Sequence, residues 1–221
     1  MHDFRNGVVV KICGITNLAD AEAAAGCGAD ILGLNFSPLS KRCVTPAIAA
    51  AIVSRVSKRF ERIRFAGIFV DQDRSLVEKL GSQLGLDAVQ LHGDESPEYV
   101  EALRVPAVIK AVRVQSRLPD PAAGAYRCDA ILLDTWDSNT RGGTGETFPW
   151  SIAAEIRPRL NRLILAGGLT PENVGEAIRI VRPFGVDVCS GVEDSPGHKD
   201  AEKIRAFVEK VREAEQFLDS I

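Results

Sequence analysis

The amino-acid sequence predicts a single α/β domain over residues 1–221, a (β/α)8 or TIM barrel. Three observations lead there. Eight short, β-rich apolar runs recur along the chain, helix-like segments separate most of them, and no Pro/Gly/Ser-rich linker or charge block divides the 221 residues. A doubly wound open sheet is the alternative. It uses fewer units and carries a GxGxxG turn after its first strand, which this chain lacks.

The first strand is "VVVKI" (8–12), and "NLADAEAAAGCG" follows as a helix capped by Asn17 and ended by Gly26 or Gly28. "ADILGLNF" (29–36) precedes "TPAIAAAIVSRVSKRF", where Thr45 caps and Pro46 opens the first turn. "IRFAGIFV" (63–70) leads into "DRSLVEKLGSQLG", and "LDAVQLH" (86–92) into "SPEYVEALR". After "AVIKAV" (107–112), the segment 113–128 is the weakest helix, because Pro119, Pro121 and Gly124 interrupt it. "AILLDT" (130–135) and "RLILAGG" (162–168) come next. "TPENVGEAIRIV" is expected to place Pro171 after a Thr170 cap, and "GVDVCSG" (185–191) is the eighth strand. "KDAEKIRAFVEKVREAEQFL" closes the chain with apolar residues three and four apart.

Composition narrows the function. The chain is 45% hydrophobic and 26% charged, with a net charge of −3 and a pI near 5.7. Its Lys and Arg residues are scattered, which argues against nucleic acid as a partner. A small anionic substrate remains open, since a pocket can be positive on an acidic protein. "MHDFRNG" lacks a secretory pattern, and apolar stretches such as "AIAAAIV" (47–53) are too short for a membrane span. The expectation is a cytoplasmic protein without a membrane partner, as monomer or homodimer. Five cysteines, an odd number without a CxxC pair, read as reduced thiols and not as a metal site.

In a barrel the chemistry gathers where strand C-termini meet the βα loops. The polar residue at the end of the first run is Cys13, and at the end of the sixth it is Asp134. Strands 1 and 6 stand three positions apart in a ring of eight, so the two side chains can face each other across the mouth. Together they would form a base and an acid. Lys11 shares the face of Cys13 and, if inward, favours the thiolate, while the apolar Ile131–Leu133 run favours the proton-bearing form of Asp134. A single strand-end cysteine is more often structural, and Cys27, Cys43, Cys128 and Cys189 are read that way.

Glycine-bearing turns follow the late strands: "RGGTGETF" (141–148), "AGGLTPENV" (166–174) and "SGVEDSPGHKD" (190–200). Gly143, Gly145, Gly167, Gly168, Ser190 and Gly191 are candidate phosphate contacts through backbone N–H groups. The loop after strand 2 carries Lys41 and Arg42, and arginine can grip a carboxylate with two N–H groups. His92, ending strand 4, either binds a ligand, orients a neighbour or is an ordinary rim histidine. Lys110 and Asp187 read as a structural polar layer, and His198 as an exposed loop residue.

The set "KICGITN", "NFSPLSKR", "GIFVDQ", "VQLHGDES", "LLDT" with "GGTGETFPW", "AGGLTPENV" and "VDVCSGVEDSPGHKD" resembles the phosphoribosylanthranilate isomerase family of tryptophan biosynthesis, in order and over nearly the whole chain. The resemblance implies a barrel that performs an Amadori rearrangement without a cofactor. The substrate would be the phosphorylated aminosugar N-(5-phosphoribosyl)anthranilate, with Asp134 as general acid and Cys13 as general base. Arg42 would hold the anthranilate carboxylate, and the loops after strands 6 to 8 the phosphate. The chain departs at Ser37, where many relatives carry an aromatic ring; if that ring covers the substrate, the contact here is weaker or comes from elsewhere, with Trp136 a candidate. Two rivals stand beside this reading. A sugar-phosphate lyase or synthase barrel would use Lys/Glu or paired Asp, and a non-catalytic phosphosugar-binding barrel would need neither acid nor base.

Overall fold

The computed structural model describes residues 7–114, 123–135 and 149–219. Eight parallel strands close into a barrel in chain order: β1 (Val9–Ile12), β2 (Ile31–Asn35), β3 (Arg64–Phe69), β4 (Ala88–Leu91), β5 (Val108–Val114), β6 (Ala130–Thr135), β7 (Leu163–Leu165) and β8 (Gly185–Val188). Each predicted run contains a strand. The seventh and eighth stop early because their glycine-bearing ends leave the ladder to form turns. β5 instead runs on to Val114, because its pairing with β6 continues to Thr135.

Among the described residues seven helices surround the barrel: α1 (Leu18–Gly26), α2 (Pro46–Arg59), α3 (Arg74–Leu84), α4 (Pro97–Ala102), α5 (Trp150–Ile156), α6 (Val174–Val181) and α7 (Ala201–Asp219). Asn17 Oδ1 accepts from the Asp20 amide at 2.9 Å, and Thr45 Oγ1 from the Ile48 amide at 3.3 Å, as their sequence positions suggested. Thr170 Oγ1 accepts from the Glu172 amide at 3.3 Å, as a cap would, but α6 itself begins further on. Asn173 Oδ1 accepts from the Thr170 amide at 2.8 Å, which closes a turn over Thr170–Asn173 and delays α6 to Val174. α5 went unpredicted, having only Ala153 and Ile156 buried to mark its inner face. The weak segment after β5 contributes a 3-10 turn at Ala123–Ala125, while Pro119 and Pro121 lie outside the described residues.

Beyond β8 the chain makes a 3-10 turn at Ser190–Val192 and then a hairpin of β9 (Glu193–Ser195) and β10 (His198–Lys199). Pro196 and Gly197 form its tip, and the left-handed φ of +88° at Gly197 suits the turn. Among the described residues no helix is long and apolar enough to cross a membrane.

Two apolar clusters follow from the alternation of side chains along parallel strands. One packs helices against the outside of the sheet. The other fills the barrel and is rich in alanine: Ala66, Ala88, Ala107, Ala111, Ala130 and Ala166. Such small residues leave room for the long side chains of Lys11 and Gln90, both fully buried.

Lys110 and Asp187 do not share a layer. Alternation with Ile109 and Ala111, which face the barrel interior, sends Lys110 outward. There its ammonium donates to Glu95 Oε2 and to the Gly93 carbonyl, both at 2.7 Å. Removing one partner of such a buried pair strands the other charge. Lys110→Met is expected to cost about 3–5 kcal/mol in urea unfolding. A loss within about 0.5 kcal/mol, the range of ordinary surface changes, would deny the pair a structural role.

Candidate active site

Strand alternation decides which side chains reach the mouth of the barrel. Val9 belongs to the interior cluster, so Lys11 and Cys13 point inward as well. The same two-residue step leads from Gly185 through Asp187 to Cys189, and from Ala130 through Leu132 to Asp134. β1 and β8 pair with Lys11 opposite Asp187 and Ile12 opposite Val188, and the Cys13 amide donates to the Val188 carbonyl at 2.9 Å. Gly14 then turns the chain out at φ +74°, and a Cβ there would lie 2.6 Å from Arg42 Cδ and 2.9 Å from Cys189 Sγ. The glycine after Cys13 thus keeps open the space where three loops meet.

Cys13 is no inert core thiol. Its pKa lies well below the usual thiol value, chiefly through a hydrogen bond from the Cys189 thiol. Burial opposes that shift, while the Lys11 and Lys199 ammonium groups reinforce it. Cys189 is pushed well above the usual value by this same contact and by burial, against the pull of Lys199 and Arg42.

Below the thiols lies a buried ion pair, Lys11 Nζ to Asp187 Oδ1 at 2.8 Å. Burial alone would neutralise Lys11, yet the charges of Asp187 and Cys13 more than offset it and raise its pKa. The Asp187 carboxyl is pushed up to about 7 by burial, against Lys11, with Cys13 and then Asp134 adding to the rise. Asp187 therefore feels the charge of both Cys13 and Asp134.

His92 bridges Asp134 to the barrel wall. Its Nδ1 lies 2.9 Å from Gln90 Nε2, and its Nε2 lies 3.2 Å from Asp134 Oδ2. With the Gln90 amide donating to Nδ1, the Nε2 hydrogen faces Asp134. His92 thus orients a neighbour.

Arg42 reaches the rim already paired. Its Nε and Nη2 donate to the two carboxylate oxygens of Glu193 at 2.8 and 2.6 Å. Glu193 Oε1 also accepts from Lys199 Nζ at 2.9 Å and the Gly197 amide at 3.3 Å. Lys199 Nζ in turn lies 3.8 Å from Cys189 Sγ. The β9–β10 hairpin thereby links Arg42 to the thiol pair. Lys41, by contrast, is exposed.

Gly167 and Gly168 adopt successive positive φ values of +85° and +63°. A Cβ on Gly191 would sit 2.0 Å from the Leu169 carbonyl oxygen, so the loops after β7 and β8 pack backbone against backbone. Ser190 opens the 3-10 turn beside them. Gly143, Gly145 and Trp136 lie outside the described residues. Ser37 is 4% exposed, with its amide donating to Asn35 Oδ1, and supplies no ring to cover a ligand.

Cys27, Cys43 and Cys128 hydrogen-bond to backbone carbonyls, and burial pushes the Cys128 thiol up to about 11. Cys189 differs from its structural reading, and Glu193 and Lys199 were not singled out at all. The available signal was the step from Asp187 to Cys189 on the strand that closes onto β1. Among the described residues no cluster of three or more His, Cys, Asp or Glu is arranged to hold a metal ion.

The family model for N-(5'-phosphoribosyl)anthranilate (PRA) isomerase matches residues 10–210. The chain belongs to this family. It is 46% identical over 206 residues to the N-(5'-phosphoribosyl)anthranilate isomerase of Pelobacter propionicus, covering 93% of this chain and 96% of that one. The crystal structure of the Thermotoga maritima phosphoribosylanthranilate isomerase superposes with a TM-score of 0.85 at 42% identity, covering 93% and 99% of the two chains. A family structure in complex with reduced 1-(o-carboxyphenylamino)-1-deoxyribulose 5-phosphate gives a TM-score of 0.81 at 40% identity, with the same coverage.

The Lys199 charge gives the thiol electrostatics a direct check. Lys199→Met should move the pH of half-maximal Cys13 alkylation by iodoacetamide upward by about half to one unit. An unmoved midpoint, read by peptide mass spectrometry, would remove Lys199 from the account.

Proposed function

We propose that this isomerase carries out the Amadori rearrangement of N-(5'-phosphoribosyl)anthranilate with Asp134 as general acid and Cys13 as general base. The single observation that carries this reading is that Cys13 on the β1 side and Asp134 on β6 each continue an inward-facing series at the C-terminal end of the barrel. Asp134 protonates the furanose ring oxygen, the C1–O bond breaks, and a Schiff base forms. The Cys13 thiolate then removes the C2 proton to give an enolamine. Tautomerisation yields 1-(2-carboxyphenylamino)-1-deoxyribulose 5-phosphate. Both proton transfers are general acid–base steps of the kind that contribute about 100- to 10,000-fold each.

The neighbours fit these roles. His92 presents its Nε2 hydrogen to Asp134, which fixes the acid's orientation and stabilises the carboxylate left after proton donation. Arg42 keeps Nη1 clear of Glu193 for the anthranilate carboxylate. Gly167, Gly168, Ser190 and Gly191 offer backbone N–H groups to the phosphate, with Gly143 and Gly145 assigned to the same end. Anchoring both anionic ends of the substrate aligns C2 with the thiolate, where small misplacements are expensive in rate. The reaction takes place in the cytoplasm, an assignment supported by five free thiols.

Loss of anthranilate fluorescence from freshly made substrate follows turnover. Cys13→Ala and Asp134→Asn should each lower kcat by about 100- to 10,000-fold with unchanged circular dichroism. Turnover within tenfold of the parent in either variant would dismiss the assignment. Arg42→Lys, which loses the planar two-point grip, should raise KM about tenfold with a smaller change in kcat.

A further inference from the structure

Cys189 stands at the mouth, yet neither proton transfer uses it. It follows the registered pair Ile12–Val188 by one residue on β8, as Cys13 does on β1, and both side chains point inward. Neighbouring strands lie about 4.8 Å apart, within the roughly 4.4–6.8 Å that a disulfide spans between Cα atoms. Both cysteines are partly exposed. We propose that Cys13 and Cys189 form an oxidative modification site that reacts with small hydroperoxides and closes a disulfide across the β1–β8 seam.

The chemistry balances in two steps. The Cys13 thiolate attacks one oxygen of the hydroperoxide, the O–O bond breaks, and a sulfenic acid forms while the alkoxide leaves and takes a proton from water. Cys13 is then neutral, which removes the negative neighbour that opposed ionisation of Cys189. Lys199, 3.8 Å from Cys189 Sγ, remains to favour the second thiolate. That thiolate attacks the Cys13 sulfur, an S–S bond forms, and the departing hydroxide becomes water with the proton Cys189 released. In sum two thiols and one hydroperoxide give a disulfide, an alcohol and water, with two electrons passing from sulfur to the peroxide.

The consequence rests on the proposed role of Cys13 as base: the oxidised protein has no thiolate to remove the C2 proton. A mass measurement tests the site independently of that role. The reduced full-length protein is treated with hydrogen peroxide, quenched with N-ethylmaleimide and digested with trypsin. The expected product is a crosslink between peptides 12–41 and 180–199, about 2 Da lighter than their sum, with fragment ions placing it at Cys13 and not at Cys27. Cys189→Ser should instead leave a dimedone-reactive sulfenic acid on Cys13. Turnover should fall at least tenfold from its own starting value and return with dithiothreitol. Sulfinic acid on Cys13 with Cys189 still blocked by maleimide, or crosslinks through Cys27, Cys43 or Cys128, would overturn the proposal. A Cys13–Cys189 crosslink with undiminished turnover would uphold the site and refute Cys13 as the base.

Discussion

The pairing of β8 with β1 closes the barrel, and a buried ammonium–carboxylate pair occupies that closure. Lys11 and Asp187 come from opposite ends of the chain, meet at 2.8 Å, and share a site where an unpaired charge would be costly. Everything at the mouth is stacked on that pair. Cys13 and Cys189 take the next inward positions on the same two strands, so the register that joins the charges also joins the thiols. A slip of β8 by one residue would turn its pair, Asp187 and Cys189, out of the barrel and away from Lys11 and Cys13.

The hairpin after β8 adds a second support from the solvent side. Its register sets Lys199 opposite Glu193, and Glu193 in turn holds the guanidinium of Arg42 from the loop after β2. Burial works against ionising Glu193, but the bonds from Arg42 and Lys199 prevail and its pKa stays low. One carboxylate thus fixes two cations that no local sequence pattern connects. The substrate end expected to carry a carboxylate and the sulfur expected to take a proton are joined through it.

Much of this was legible in the sequence because it depends on local alternation. The eight apolar runs, the caps at Asn17 and Thr45, and the polar residues ending the first and sixth strands all follow from short-range rules. What escaped depends on closure. Cys189 looks like any other cysteine until β8 is laid beside β1. Glu193 and Lys199 sit in a segment whose Pro196 and Gly197 read as loop, and the hairpin joining them is too short for periodicity to register. Lys110 was misjudged for a related reason: its strand is known from sequence, but which face of that strand looks inward is set by the layers on both sides. Thr170 does accept from the Glu172 amide, but the bond from the Thr170 amide to Asn173 holds these residues as a turn, so the helix starts later than the cap implies.

The charges that meet the carboxylate and the phosphate of the substrate are local ones. Lys11, Lys199 and Arg42 bring three cations to the region, and Asp187, Glu193 and Asp134 answer with three carboxyl groups. With Asp187 pushed up to about 7, its negative charge is incomplete near neutral pH, and the Cys13 thiolate adds negative charge beside the same cations. As pH rises through that value the ionising carboxyl opposes the thiolate, and as pH falls its neutralisation favours it. Asp187 and Cys13 therefore titrate as one coupled system. The local field that receives the substrate is set by this seam and not by the net charge of −3.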